Sequence, residues 1–213
     1  MKSIDLNGSK NLQLVRGGTD EWYWSMDYTS GDRYEAEELF QMKHEVDCNR
    51  LYLIHYPDGK VYGPIPKAKG RYLGEPVYDH GAIAILMVDF VESLIHILCF
   101  NPAREEVTET ARLPLLSVKD CYNLLLHTSP LMLTRQANDN VFEIIWPERV
   151  RFPIGDTESF SFREGDKLYF TAWFENPEYR EETVVRALRT GEILERFPGD
   201  IWIMPNGEKW HLK

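Results

Sequence analysis

The stretch TVVRALRTGEILERFPGDIWIMPNGEKWHL, residues 183–212, alternates strand-like segments with turn signals. Thr190-Gly191 and Asn206-Gly207 are typical of tight hairpins, because such turns require the positive φ angles that glycine adopts easily. The last two strand-like segments form a terminal hairpin. Since an isolated hairpin is marginally stable in water, another part of the chain must cover or extend this one.

Residues that end strands recur at similar spacing along the whole chain. Pro64, Pro114, Pro153 and Pro198 each end a strand-like segment, and they are 50, 39 and 45 residues apart. A proline without an N–H donor is tolerated where an edge strand ends. These prolines therefore predict the outer strand of a repeated sheet.

Two interleaved series of turn signals divide each period into four strands. One series is Gly31-Asp32, His80-Gly81, Ser129-Pro130, Gly165-Asp166 and Asn206-Gly207. The other is Asn7-Gly8, Asp58-Gly59, residues 101–104, Pro147-Glu148 and Thr190-Gly191. A period near 40 to 50 residues is typical of propellers and solenoids.

This spacing predicts a single all-β domain over residues 1–213. The expected strand sets are 21–65, 75–115, 120–154, 158–198 and a half-set at 200–212. The N-terminal residues 1–16, with their own Asn-Gly turn, are expected to supply the two strands that the half-set lacks. Joining both termini in one sheet would close a ring and leave no unpaired terminal hairpin.

With its strand, Thr-Gly turn, strand, loop, strand and Asn-Gly turn, the stretch at 183–212 resembles the junction between two blades of β-propeller repeat proteins. The closest architectural likeness is to small five-bladed propellers, which include sugar-binding lectins and several glycosidases. The Gly-His and Trp-Asp dipeptides of the tryptophan-aspartate repeat family are absent. A β-sandwich or an open barrel remains the alternative fold, since both also have strands punctuated by Gly and Pro.

For one segment the sequence does not decide between two secondary structures. Residues 33–46, RYEAEELFQMKHEV, are rich in helix-forming residues but have no clean periodicity. They are expected to form either a helical insertion or an irregular edge strand.

An acidic residue stands at or just before the first strand of each expected set. These residues are Asp20, Glu75, Asp120, Asp156 and Asp200. In a propeller they would meet at one mouth of the central channel, where carboxylates can attract a hard cation or a polyhydroxylated ligand. Nearby aromatics, Trp22, Tyr78, Tyr122 and Trp202, would stack on a sugar or fill the core between sheets.

These residues predict a non-enzymatic module that binds a small ligand, such as a carbohydrate, or a protein at the acidic mouth. The alternative is a glycosidase-like hydrolase, which needs two carboxyl groups across the scissile bond; Asp20, Glu75 and Asp120 are the candidates. No nucleophile motif or phosphate-binding loop is recognisable. His80, His127 and Asp79 form at most a partial metal site, so no cofactor, metal or catalytic residue is assigned.

Composition limits the possible binding partners and the cellular compartment. The net charge of −10 and the lack of a basic stripe disfavour nucleic acid. The longest apolar run, residues 81–88, is too short to span a bilayer, and no secretory signal is recognisable, so a cytoplasmic protein is expected. Cys48, Cys99 and Cys121 are odd in number and widely spaced, which predicts reduced thiols.

Overall fold

A computed structural model describes residues 1–27, 32–47, 49–118, 121 and 123–213. The described chain forms five antiparallel sheets that follow one another in sequence. The first sheet has the order β1-β2-β3-β4. Its strands are β1 (Gln13–Leu14), β2 (Trp22–Asp27), β3 (Arg50–His55) and β4 (Val61–Tyr62).

The second sheet has five strands because its innermost position is divided between two short ones, β5 and β6, which both pair with β7. Its strands are β5 (Arg71–Leu73), β6 (Val77–Asp79), β7 (Ala82–Asp89), β8 (Leu94–Asn101) and β9 (Glu106–Pro114). A 3₁₀ turn at Leu115–Ser117 leads to the third sheet.

The third and fourth sheets are four-stranded meanders. The third contains β10 (Asn123–His127), β11 (Met132–Gln136), β12 (Val141–Trp146) and β13 (Val150–Pro153). The fourth contains β14 (Glu158–Glu164), β15 (Lys167–Phe174), β16 (Arg180–Ala187) and β17 (Ile193–Pro198). The chain ends in a two-stranded hairpin of β18 (Asp200–Ile203) and β19 (Lys209–Leu212), which we call the C-terminal hairpin.

Three apolar clusters lie between neighbouring sheets. Trp24, Leu53 and Ile85 belong to the cluster shared by the first and second sheets. Further clusters join the second sheet to the third and the third to the fourth. Burying one face of each sheet against the next gives a propeller-like ring of small sheets, as the sequence predicts at this level. The structure shows four larger sheets and the hairpin, so the five-bladed count is not established.

The N-terminal strand differs from its expected place. Gln13 and Leu14 pair with Trp24 and Tyr23 of β2, so this segment is the inner strand of the first sheet and not a strand of the last one. The first sheet therefore begins at Gln13 instead of residue 21. Closure of the ring through both termini is not confirmed.

Most turn signals lie where the strands reverse, but Asn7-Gly8 forms a turn before β1 with no described strand on its other side, and Pro64 lies two residues beyond the end of β4. Pro114, Pro153 and Pro198 are the last residues of outer strands β9, β13 and β17. In the first sheet the turn after the inner strand is made by Gly17-Gly18, and not by the expected Gly31-Asp32. Gly31 itself lies outside the described residues.

Residues 33–46, whose secondary structure the sequence left undecided, contain a helix, α1 (Arg33–Gln41), inserted between β2 and β3. Asp32 caps it: its side chain accepts from the Glu35 amide at 2.9 Å, and the Glu35 carboxylate accepts from the Asp32 amide at 2.9 Å. The Arg33 guanidinium, which is buried, donates to the carbonyl of Cys121. The helix thereby packs against the junction of the second and third sheets, where Ala36 joins their shared cluster.

Candidate functional site: the central cavity

A cavity of about 400 Å³ lies between the inner strands of all five sheets. It is lined by residues 14–19, Val77, residues 126–129, residues 161–163, and residues 203–205, 207 and 209. Most of these residues lie at the C-terminal end of an inner strand or in the turn after it. A concave site of this size, built by several elements of a scaffold, is typical of small-molecule binding. We call it the central cavity.

The first and second sheets meet at the cavity wall through their backbones. The Tyr78 amide donates to the Arg16 carbonyl at 2.7 Å, and Arg16 forms a parallel bridge with Val77. Gly17 follows with a φ of 118°, and a Cβ at this position would lie 2.2 Å from the Tyr78 carbonyl oxygen. The close approach of the two sheets therefore requires glycine at residue 17.

Three cationic side chains line the cavity: Arg16, Arg163 and Lys209. Each forms an ion pair with a glutamate that is not part of the lining: Glu75 at 2.8 Å, Glu148 at 3.1 Å and Glu164 at 2.5 Å, respectively. Among the described lining residues none is Asp or Glu. The described lining therefore contains three cationic side chains and no carboxylate, and each cation is paired with a glutamate outside the lining.

Lys209 links the C-terminal hairpin to the fourth sheet. Its hydrogen bond to Glu164, together with its charge, lowers the pKa of that carboxyl group. The Lys209 ammonium also lies 5.0 Å from the centre of the Phe162 ring, which stacks on Tyr169 at 4.3 Å. These contacts hold the ammonium at the cavity wall.

His127 is a half-buried titratable group of the lining. Its Nε2 lies 2.9 Å from the Thr134 hydroxyl, and its ring packs edge-on against Phe160 with the centroids 4.7 Å apart. Burial, and to a smaller extent the charge of Arg16, lowers the pKa of His127 to about 3. The imidazole is therefore neutral at physiological pH and adds no charge to the cavity.

The partial metal site suggested by Asp79, His80 and His127 is not assembled. Asp79 Oδ1 accepts from the Thr128 hydroxyl at 2.7 Å and lies 3.0 Å from His80 Nδ1, whereas His127 contacts Thr134. Across the part of the chain that the structure describes, no three His, Cys, Asp or Glu side chains are arranged to hold a metal ion.

The acidic residues predicted from sequence lie in different settings. Asp20 is exposed in the connection from β1 to β2, and Asp156 is exposed in the turn before β14. Glu75 pairs with Arg16, and Asp200 accepts a hydrogen bond of 2.6 Å from the Thr171 hydroxyl. Asp120 lies outside the described residues.

The direction of the strands separates Asp156 and Asp200 from the central cavity. Asp156 and Asp200 stand where inner strands β14 and β18 begin, while the cavity lies toward the ends of those strands. Asp20, in contrast, lies between inner strand β1 and β2, the second strand of its sheet, and so follows the end of an inner strand. The described acids contribute no side chain to the lining. An acidic mouth at the beginnings of the inner strands stays a prediction.

The predicted aromatic residues also have different surroundings. Trp22 is 6 % exposed and packs at 4.8 Å on His55 and 5.7 Å on Tyr62, so it is part of the core between the first two sheets. Tyr78 is half-buried in β6. Trp202, in contrast, is 59 % exposed on the C-terminal hairpin. Tyr122 lies outside the described residues.

Sequence reasoning missed the cations of the lining. A usable signal was present: Arg16 directly precedes Gly17, Arg163 lies two residues before Gly165, and Lys209 lies two residues after Gly207. Each of these glycines is in the turn that follows an inner strand. A basic residue beside the same turn in three sheets predicts a positive ring at that end of the channel.

No protein family and no curated protein matches this chain. A search of the described segments for a helix with the length and apolarity needed to cross a membrane found none.

Proposed function

We propose that this protein is a non-enzymatic binding module that holds a small ligand in the central cavity. The observation that carries the proposal is the convergence of all five sheets on one cavity of about 400 Å³. Propeller-like scaffolds commonly place binding sites at the channel, although the fold alone does not specify a ligand. A protein partner docking at the acidic mouth of the channel is the second use that the sequence predicts.

The lining favours binding over hydrolysis. Glycoside hydrolysis by the usual route needs two carboxyl groups about 5 to 9.5 Å apart across the scissile bond. Of the described lining residues, none carries a carboxylate side chain, whereas Thr19, Ser129 and Ser161 offer hydroxyl groups beside apolar residues such as Val77 and Leu126. A few convergent polar groups on an apolar wall are typical of a binding site.

A fragment screen by NMR tests the proposal. Small compounds are titrated into the full chain, and the shifted amide signals are mapped onto the structure. We expect the hits to shift amides of lining residues such as Val77, Leu126 and Met204. No compound shifting these amides would contradict the proposal.

A pair of variants on the same strand provides the control. Ser161 lines the cavity from β14, while Ser159 on that strand is exposed and outside the lining. Ser161→Trp fills the cavity and should abolish the shifts, with Ser161→Phe as the smaller alternative. Ser159→Trp should leave them unchanged.

A further inference from the structure

We propose that the ligand of the central cavity is an anion: a small molecule whose carboxylate or phosphate group is bound by Arg16, Arg163 and Lys209. This inference rests on the proposed function and adds the chemical class of the ligand. It differs from the expectation from sequence, which assigned an acidic surface to the channel mouth and stays a prediction.

The cations retain donors that their own glutamates do not use. The hydrogen bond to Glu75 takes one N–H of the Arg16 guanidinium, which has five. Arg163 donates from Nε to the Gly165 carbonyl at 2.8 Å and from one terminal nitrogen to Glu148. Lys209 donates to Glu164 and has two further N–H donors. Each side chain can therefore hold its glutamate and still bind a ligand oxygen.

Stability alone does not account for Arg16 and Lys209. The Arg16 and Glu75 side chains are 55 % and 41 % exposed, and those of Lys209 and Glu164 are 36 % and 58 % exposed. Ion pairs at that exposure contribute little to folding. Their shared position on one concave wall is instead the arrangement that an anion-binding site needs, because charge-assisted hydrogen bonds to carboxylate and phosphate are short and strong.

The cationic side chains of the lining contrast with the net charge of the whole protein. The protein carries a net charge of −10, so its surface as a whole repels anions. The attraction for an anion is strongest where a cation is shielded from water, as Arg163 is with a side chain 14 % exposed. Hydroxyl groups from Thr19 and Ser161 and the ring of Phe162 complete the lining, which suits a polar carbon skeleton that carries the charged group.

Titration by NMR with three related compounds tests the charge. D-glucose, D-glucuronate and D-glucose 6-phosphate share a sugar ring and differ in bearing no charge, a carboxylate or a phosphate. We expect at least one of the two anions to shift the lining amides with an affinity at least tenfold higher than that of glucose, since one charge-assisted hydrogen bond accounts for about that factor. Which anion binds tighter distinguishes carboxylate from phosphate ligands.

Neutral variants identify the cations responsible. Arg163→Gln and Lys209→Gln should each weaken binding of the anion about tenfold or more. Lys167→Gln is the matched control, because Lys167 forms an exposed ion pair with Glu195 at 3.1 Å on the same sheet but outside the cavity. It should leave the affinity unchanged.

The outcomes separate the two proposals. If glucose binds as tightly as both anions, the inference about charge is wrong while the binding function stands. If none of the three binds although the fragment screen finds cavity ligands, the inference is again wrong. If the screen also finds no compound in the cavity, the proposed function itself fails.

Discussion

The side-chain amide of Asn49 hydrogen-bonds both backbone groups of Leu73: its Oδ1 accepts from the Leu73 amide and its Nδ2 donates to the Leu73 carbonyl, each at 2.7 Å. Asn49 directly precedes β3 of the first sheet, and Leu73 ends β5 of the second. Both residues are buried. One amide thus replaces a pair of backbone ladder bonds where the two sheets meet.

Replacing this amide should weaken the ring at that junction. Asn49→Ala leaves a buried N–H and a buried carbonyl without partners, so we expect the free energy of unfolding to fall by about 3 kcal/mol. Urea denaturation followed by tryptophan fluorescence measures it. Gln41→Ala, an amide truncation at the exposed end of α1, should change the value by less than about 0.5 kcal/mol. Equal effects of both variants would contradict the assigned role.

Two truncations test the place of the N-terminal strand. Removing residues 1–12 keeps β1, whereas removing residues 1–16 also deletes Val15, which is 0 % exposed. The longer truncation should cost at least about 2 kcal/mol more, because it exposes the surface that Val15 covers. Denaturant titrations of the two chains measure the difference. If the shorter truncation costs as much as the longer, residues 1–12 have the larger role that the sequence predicts.

The fourth sheet contains a buried ion pair. Arg186 donates from Nε and from a terminal nitrogen to the two oxygens of Glu158, both at 2.8 Å. Glu158→Gln leaves the guanidinium buried without its counter-charge, and we expect a loss of about 3 kcal/mol in unfolding free energy. Glu195→Gln, which breaks the exposed pair with Lys167, should have little effect. A similar small effect at Glu158 would show that the pair does not hold the sheet.

His127 predicts a pH dependence of stability. Its pKa is about 3 in the folded protein, mainly through burial, and about 6.5 in the unfolded chain. Between these values the unfolded chain binds a proton that the folded protein does not, so stability is lost as the pH falls. The loss reaches about 1.4 kcal/mol per pH unit.

The His127→Gln variant isolates this contribution. Unfolding free energies at pH 7, 6, 5 and 4 should decline less steeply for the variant than for the original chain, and the exposed His44 supplies the control through His44→Gln. Parallel pH profiles for all three proteins would show that His127 is not buried in its neutral form.

The repeat could be predicted because its signals are local. A proline or a glycine dipeptide acts through its own φ angles, so Pro114, Pro153, Pro198 and Gly207 mark strand ends without reference to the rest of the chain. Strand β1 is followed by Gly17-Gly18, but with two residues, Gln13 and Leu14, it is too short to show an alternating pattern. The first sheet was therefore predicted to begin one strand too late.

The site was harder to predict because its parts are distant in sequence. Lys209 and Glu164 are separated by 45 residues, and Arg16 and Glu75 by 59. The acids stand out in the sequence beside their glycines, but the direction of each strand decides which end of the channel a residue occupies. Misplacing β1 assigned Asp20 to the wrong end and hid the relation of Arg16 to Arg163 and Lys209.

The central claim is that the cavity holds an anion, and a crystal structure of the full chain grown with D-glucuronate or D-glucose 6-phosphate tests it most directly. We predict density for the anion in the cavity, with its charged group within hydrogen-bond distance of Arg16, Arg163 or Lys209. Density for the anion elsewhere, with the cavity holding only water or closed by side chains, would contradict the claim.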